Sequence, residues 1–188
     1  NIENPTVLAR AIEHIATKHV SLDIQPEQYP IVGENLLHSI SEVLNVPFES
    51  ELIAAWKAAY LQLADILINA EKTKYDGLVA QNGGWAGWRN FNITQIEQAD
   101  AGQVFVLQAA DEHAVLAAEA GQFISVKVKV PNHNLEQPHQ FVVVSGLDGQ
   151  YQFMVKGEEN RTEYSVANIL LEHYKVGDQV KVTAPLSK

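Results

Sequence analysis

Among the side chains able to bind a metal or move a proton, His19 stands out by its position on its helix. Leu8, Ile12 and Ile15 recur at helical spacing. At 100° per residue His19 falls at about 20° on a wheel where Leu8 is 0°, Ile12 about 40° and Ile15 about 340°. The spacing therefore turns His19 toward the buried side. His14, on the same helix, falls at about 240° and points away. A histidine on an apolar face is more often a hydrogen-bonded core residue than a ligand, and the geometry alone leaves both roles open. His38, His113, His133 and His173 are isolated in sequence and read as surface residues. No His-Glu-x-x-His, no zinc-ligand spacing, no Ser-His-Asp order and no Gly-x-Gly-x-x-Gly phosphate loop occurs.

Composition narrows the chemistry further. The absence of Cys excludes disulfides, thiolate metal sites, iron–sulfur clusters and a Cys nucleophile, and fits a reducing, cytoplasmic setting. Thirteen Lys and Arg against 23 Asp and Glu give a net charge of -10. That charge repels nucleic-acid phosphates and anionic headgroups, so neither nucleic acid nor a membrane surface is an expected partner. The longest apolar run, Leu61 to Ala70, is broken by Gln62, Asp65 and Asn69, too short and too polar to span a bilayer. The 46% hydrophobic content suffices for a buried core.

Three helices and then a run of strands must hold these residues. Leu8, Ile12 and Ile15 form one stripe; Leu36, Ile40, Val43 and Leu44 a second; Trp56, Ala59, Leu63, Leu67 and Ala70 a third. Pro26 and Pro30 make Asp23 to Pro30 a loop, Pro47 closes the second helix, and the third runs from about Glu49 toward Tyr75 or beyond. The chain changes character at Gln81 to Phe91, around Gly83-Gly84-Trp85-Ala86-Gly87-Trp88-Arg89. Beyond it, Ile124, Val126, Val128 and Val130 alternate with Ser125, Lys127 and Lys129, the period of a strand with one buried face. Shorter strands are expected at Val104 to Gln108, Gln140 to Val144, Tyr151 to Lys156 and Gln179 to Thr183. Turns fall at Leu147-Asp148-Gly149 and Val176-Gly177-Asp178, and one helix at Ser165 to Tyr174. The expected fold is an all-α part followed by an antiparallel Greek-key β-barrel with one helix.

The motifs carry a family resemblance. Lys18-His19-Val20-Ser21-Leu22, Pro26-Glu27-Gln28-Tyr29 and Ile31-Val32-Gly33-Glu34 with Leu36-Leu37 resemble the proximal side of bacterial haemoglobins and flavohaemoglobins. So do Asn1-Ile2-Glu3-Asn4, Ala54 to Tyr60, Leu63 to Ile66 and Ile68 to Glu71, while Gly83-Gly84-Trp85 with Trp88-Arg89 resembles the link into a reductase. The resemblance implies residues 1–82 as the proximal half of a globin, 83–90 as a hinge and 91–188 as an FAD-binding barrel of ferredoxin-reductase type. It implies haem b held by its iron on His19, with Tyr29 and Glu71 as the catalytic network behind that ligand. A carboxylate and a phenol directed at the imidazole fix its tautomer and raise its basicity. Read singly, Glu71 fits a solvated partner of Lys74 at i+3, and Tyr29 an ordinary half-buried aromatic.

In the second part, Gly121-Gln122-Phe123-Ile124-Ser125-Val126 resembles the barrel strand that usually reads proline-glycine-glutamine, with Ala120 in place of Pro; Val176-Gly177-Asp178 and Ala184-Pro185 resemble the end of the barrel. The family's flavin strand reads Arg-x-Tyr-Ser, and here the positions are His139, Gln140, Phe141 and Val142, without the cation or either hydroxyl. The family's Gly-x-Val-Ser helix opening corresponds to Tyr164-Ser165-Val166-Ala167-Asn168, in which Val166 and Ala167 are the positions expected to meet phosphate. Charged hydrogen bonds contribute roughly 1.5–3 kcal/mol each, so these changes are expected to weaken FAD binding. His139 and Lys156 are the nearby cations in sequence, and the ordinary reading of His139 is an exposed strand residue.

The implied activity is nitric oxide dioxygenation: O2 and NO become nitrate at haem, with electrons from NAD(P)H through FAD. The NAD(P)H-binding domain would follow this sequence, or an external reductase would replace it. The opening Asn1, inside a helical pattern, reads as a start within a larger domain, with distal-pocket residues before it. The fragment alone is expected to be inactive. The second expectation is a haem protein for O2 or NO binding or sensing, whose barrel is flavin-free and serves structure or docking.

Overall fold

The computed structural model describes residues 5–146, 149–159 and 162–187. Asn1-Ile2-Glu3-Asn4 and the Leu147-Asp148 part of one expected turn lie outside them. The chain divides into two compact units, Asn1–His19 with Ile24–Lys74, and Val20–Asp23 with Tyr75–Lys188.

The first unit is helical. It contains most of α1 (Pro5–Val20), all of α2 (Gln28–Leu44) and most of α3 (Glu51–Val79). The helix α2 starts inside the stretch expected to be loop, with Pro30 in its first turn. The first backbone N–H groups of a helix have no intrahelical acceptor, so a proline there removes no hydrogen bond. The helix closes at Asn45, in the left-handed conformation at φ 51° and ψ 47°. The amide of Asn45 donates to the Glu42 carbonyl and that of Val46 to the Ser41 carbonyl, both at 3.1 Å. Closure thus occurs two residues before Pro47.

The buried helix faces differ from the expected stripes. Leu8 and Ile15 are exposed, Ile12 is half-buried, and Ala16 and Val20 are the buried apolar residues of α1. On α2, Leu36, Val43 and Leu44 are exposed, while Tyr29, Gly33 and Leu37 are buried. On α3, Trp56 and Leu63 are exposed; Ile53, Ala64, Leu67, Glu71 and Leu78 are buried. Apolar residues occupy more than one face of each helix, and the packed face is the one where small residues permit close approach.

The second unit is a closed barrel in the order β1-β2-β5-β4-β3-β6, antiparallel throughout. Its strands are β1 (Arg89–Ala99), β2 (Gly102–Ala109), β3 (Phe123–Lys129), β4 (Glu136–Ser145), β5 (Gln150–Val155) and β6 (Gln179–Val182), with α4 (Val166–His173) between the last two. Three successive hairpin strands, β3, β4 and β5, with β6 returning beside β3, make the Greek key. The expected inward set of Ile124, Val126, Val128 and Val130 is buried. It packs with Phe91, Phe105, Tyr151, Phe153 and the inner face of α4.

Strand β1 is an addition to the sequence reading. Its pairing with β2 shifts between Ile93 and Gln95. That bulge changes which parity points inward, so Phe91, Ile93 and Ile96 never read as one period-two run.

Phe153 is fully buried, with ring centroids 4.7 Å from Phe141 and 5.8 Å from Phe105. Phe153→Ala is expected to destabilise the barrel by about 3–5 kcal/mol, measured as a lower denaturation midpoint for the barrel transition.

Gly83 holds the entry to the barrel at φ 73°, where a Cβ would sit 2.6 Å from the Val115 carbonyl carbon. Its carbonyl accepts from the Leu116 amide at 2.8 Å. Downstream, Trp85 Nε1 donates to the Val182 carbonyl at 3.3 Å. Arg89 pairs with the Asp111 carboxylate and donates to the carbonyls of His113 and Ala114 at 2.9 Å. The Arg89 guanidinium holds the Asp111 carboxyl below its usual range.

Candidate functional site

Three helices each deliver one polar side chain to a single point in the first unit. His19 sits in the last turn of α1, Tyr29 in the first turn of α2, and Glu71 on the buried face of α3. His19 Nδ1 lies 2.7 Å from Glu71 Oε1 and 3.1 Å from the Tyr29 hydroxyl. The Tyr29 hydroxyl donates to the same Glu71 oxygen at 2.5 Å. Tyr29 is 8% exposed and Glu71 2%, whereas the His19 side chain is 31% exposed.

The proton positions follow from counting hydrogens. A tyrosine has one hydroxyl hydrogen, and here it is directed at Glu71 Oε1. Toward His19 the phenol oxygen can then only accept. The carboxylate accepts as well, so Nδ1 carries the hydrogen, shared between the near oxygen of Glu71 and the more distant one of Tyr29. In the neutral ring Nε2 is left with its lone pair. Both hydrogen bonds of the ring fall on Nδ1, and Nε2 has no partner among the described residues.

The single-residue alternatives for Glu71 and Tyr29 do not hold. Lys74 pairs with Glu13 rather than Glu71, and Glu71 is buried. Its Oε2 has no hydrogen-bond partner among the described residues, which concentrates the interactions on Oε1. Tyr29 lies in a helix, packed with Ala64 and Leu67 against Ile12, Ile24, Tyr60 and Ile68.

The strand positions in the second unit have a different character. His139 is exposed, pairs across from Val126, and lies 4.9 Å from the Phe141 ring between centroids. Gln140 Nε2 donates to Ser21 Oγ at 2.6 Å. Phe141 turns into the core, and Val142 is 50% exposed. Val166 and Ala167, in the first turn of α4, also face the core. Ser165 Oγ caps that helix by accepting from the Asn168 amide at 3.3 Å, and the Asn168 carboxamide is tied to the main chain of Glu158. The side chains of Phe141, Val166 and Ala167 are therefore committed to packing, and these positions can offer a ligand their backbone. His139 and the apolar Val142 remain outward.

The other histidines are less isolated than their sequence suggests. His38 stacks on Phe48 at 4.0 Å between centroids. His133 Nε2 pairs with Glu163 Oε2 at 3.2 Å and, by that hydrogen bond, holds the Glu163 carboxyl below its usual range. His113 and His173 are exposed. Among the described residues no group of three or more His, Cys, Asp or Glu side chains could hold a metal ion. No helix there is long and apolar enough to cross a membrane.

A helical segment that directs a carboxylate and a phenol at one imidazole is thus followed by a closed six-stranded Greek-key barrel. Residues 1–67 match the globin family. The chain is 42% identical to the flavohemoprotein of Rhizobium meliloti (strain 1021) and 40% identical to that of Bordetella pertussis, in each case over 98% of the chain and 47% of the relative. The crystal structure of the flavohemoglobin from Malassezia yamatoensis, with bound FAD and heme, superposes with a TM-score of 0.81 at 25% identity, covering 96% of this chain and 45% of that one. The chain is similar to flavohaemoproteins over nearly all of its own length and spans about half the length of the curated relatives it matches.

Proposed function

We propose that the full-length protein is a nitric oxide dioxygenase in which residues 1–82 form the proximal half of a globin, 83–90 the hinge and 91–188 the flavin barrel. The observation that carries this reading is the convergence of His19, Tyr29 and Glu71 on one imidazole nitrogen. These residues fit haem: Nε2 of His19 keeps its lone pair, the ring is partly exposed, and the exposed Ile15 lies one turn earlier on the helix. Haem, when bound, supplies the iron at which NO, O2 and one electron combine to nitrate. His19 supplies the ligand, and Glu71 with Tyr29 hold the proton at Nδ1. That arrangement gives the ligand partial imidazolate character and favours O–O activation over reversible O2 carriage.

FAD would lie along β4 and the start of α4, drawing on His139, Gln140, Phe141, Val142, Val166 and Ala167, and would pass electrons singly from NAD(P)H. NAD(P)H would bind in a further domain or act through an external reductase. The fit here is partial, because His139 is the one ionisable side chain among these positions and Gln140 already donates to Ser21. A second reading follows from that observation: a haem protein that binds or senses O2 or NO, with a flavin-free barrel. The zero Cys count accords with a reducing, cytoplasmic compartment.

Rapid-mixing NO consumption with NAD(P)H and O2 tests the enzymatic reading. NO decay with nitrate formed in equal amount is the expected result; persistence of NO, or reductant oxidation without nitrate, would exclude the dioxygenase.

A further inference from the structure

Tyr60 belongs to the same buried stripe as the site. From Glu71 back to Tyr60 the helix α3 makes three turns with about 20° left over, so Tyr60, Ala64, Leu67 and Glu71 share one face. Its hydroxyl donates to the Tyr29 main-chain carbonyl at 2.6 Å. Its ring lies against α2 at Gly33, one turn after Tyr29. A Cβ at Gly33 would fall 2.4 Å from Tyr60 Cε1 and 2.9 Å from Cδ1. Only a glycine lets the α2 backbone rest directly on that ring. Tyr60 thus holds the α2 main chain at two points that bracket the first turn, by a hydrogen bond at Tyr29 and by steric contact at Gly33. Burial raises the Tyr60 phenol above its ordinary pKa, which preserves the O–H as a donor.

The consequence is positional. A hydrogen bond between Tyr29 and Glu71 of 2.5 Å tolerates little displacement, because hydrogen bonds weaken steeply as distance and angle leave their optimum. The Tyr29 phenol reaches Glu71 Oε1 from a main chain that the Tyr60 hydroxyl holds at its carbonyl. We propose that Tyr60 is a positioning residue for the site. It acts on the His19 imidazole through Tyr29, without touching either ring nitrogen. This rests on His19 being the iron ligand.

The test is the iron–histidine stretching frequency of the ferrous full-length protein by resonance Raman, in wild type, Tyr60→Phe, Tyr29→Phe and the double variant. Tyr60→Phe keeps the ring on Gly33 and removes only the donor. The expected result is a downward shift in Tyr60→Phe, smaller than that of Tyr29→Phe, with no added shift in the double variant. Gly33→Ala, which pushes the ring away, should also lower the frequency. An unchanged frequency in Tyr60→Phe, or an equal further shift on the Tyr29→Phe background, would overturn the proposal. A wild-type protein with no iron–histidine stretch at all would sink the ligand assignment, a result distinct from a wild-type stretch that Tyr60→Phe leaves in place.

Discussion

His19→Ala in the full-length protein is expected to abolish haem retention, so that the purified variant shows no Soret band while its barrel unfolds at the wild-type denaturant concentration. The argument is chemical. His19 Nε2 is the unpartnered lone pair presented by the cluster, and its donor strength comes from the Glu71 and Tyr29 contacts on Nδ1. Removing the imidazole removes the ligand and leaves the Tyr29 hydroxyl donating to Glu71 Oε1. The barrel's buried residues belong to a separate core, so its stability should not follow. Adding free imidazole should restore part of the haem absorption, because the cavity left by the side chain admits the same ring. Wild-type haem content in His19→Ala would exclude the ligand role.

The second large effect is expected at Glu71. Glu71→Gln keeps the size and can still accept through one oxygen, but it replaces the buried, unpartnered Oε2 with an amide that brings two hydrogens and no acceptor. Leaving a buried donor unpaired costs about 1–3 kcal/mol, and loss of the negative charge weakens the pull on the His19 proton. Residues that orient a metal ligand typically change affinity or activity by about 10–100-fold. NO turnover is therefore expected to fall within that range, with haem content retained and the iron–histidine frequency lowered. Steady-state NO consumption and resonance Raman on the same sample measure both. Unaltered turnover together with an unaltered frequency would mean that the carboxylate is structural only.

How much of this could be read from the residues varied with the kind of contact involved. Helical spacing set His19 on the face of Leu8, Ile12 and Ile15, of which Leu8 and Ile15 are exposed. Periodicity identifies which residues share a face, and it cannot say which of two apolar faces is packed. Tyr29 and Glu71 needed the family resemblance, because their partner is 10 and 52 residues away and no local pattern encodes such a meeting. Tyr60 closes the Ala54 to Tyr60 stretch with no local mark of its own. Its role depends on a side-chain bond to a main-chain carbonyl 31 residues back, and its one local signal is the glycine at position 33.

The barrel followed the same logic. Strand β3 showed itself through strict alternation, whereas β1 was hidden by a bulge that changes parity. The helix expected from Ser165 runs Val166–His173, and Ser165 caps it. The bond from Gln140 to Ser21 had no sequence signal, since it joins a strand side chain to a residue 119 positions earlier.

The most direct test of the central claim is the absorption spectrum of the purified full-length protein, read with the amounts of haem and flavin released on denaturation. The account predicts a Soret band at one haem per chain together with one FAD per chain, which would mean that β4 binds flavin through its backbone and His139 despite the missing cation and hydroxyls. Haem without FAD would transfer the case to the globin with a flavin-free barrel, and a protein without haem would contradict the account at its root.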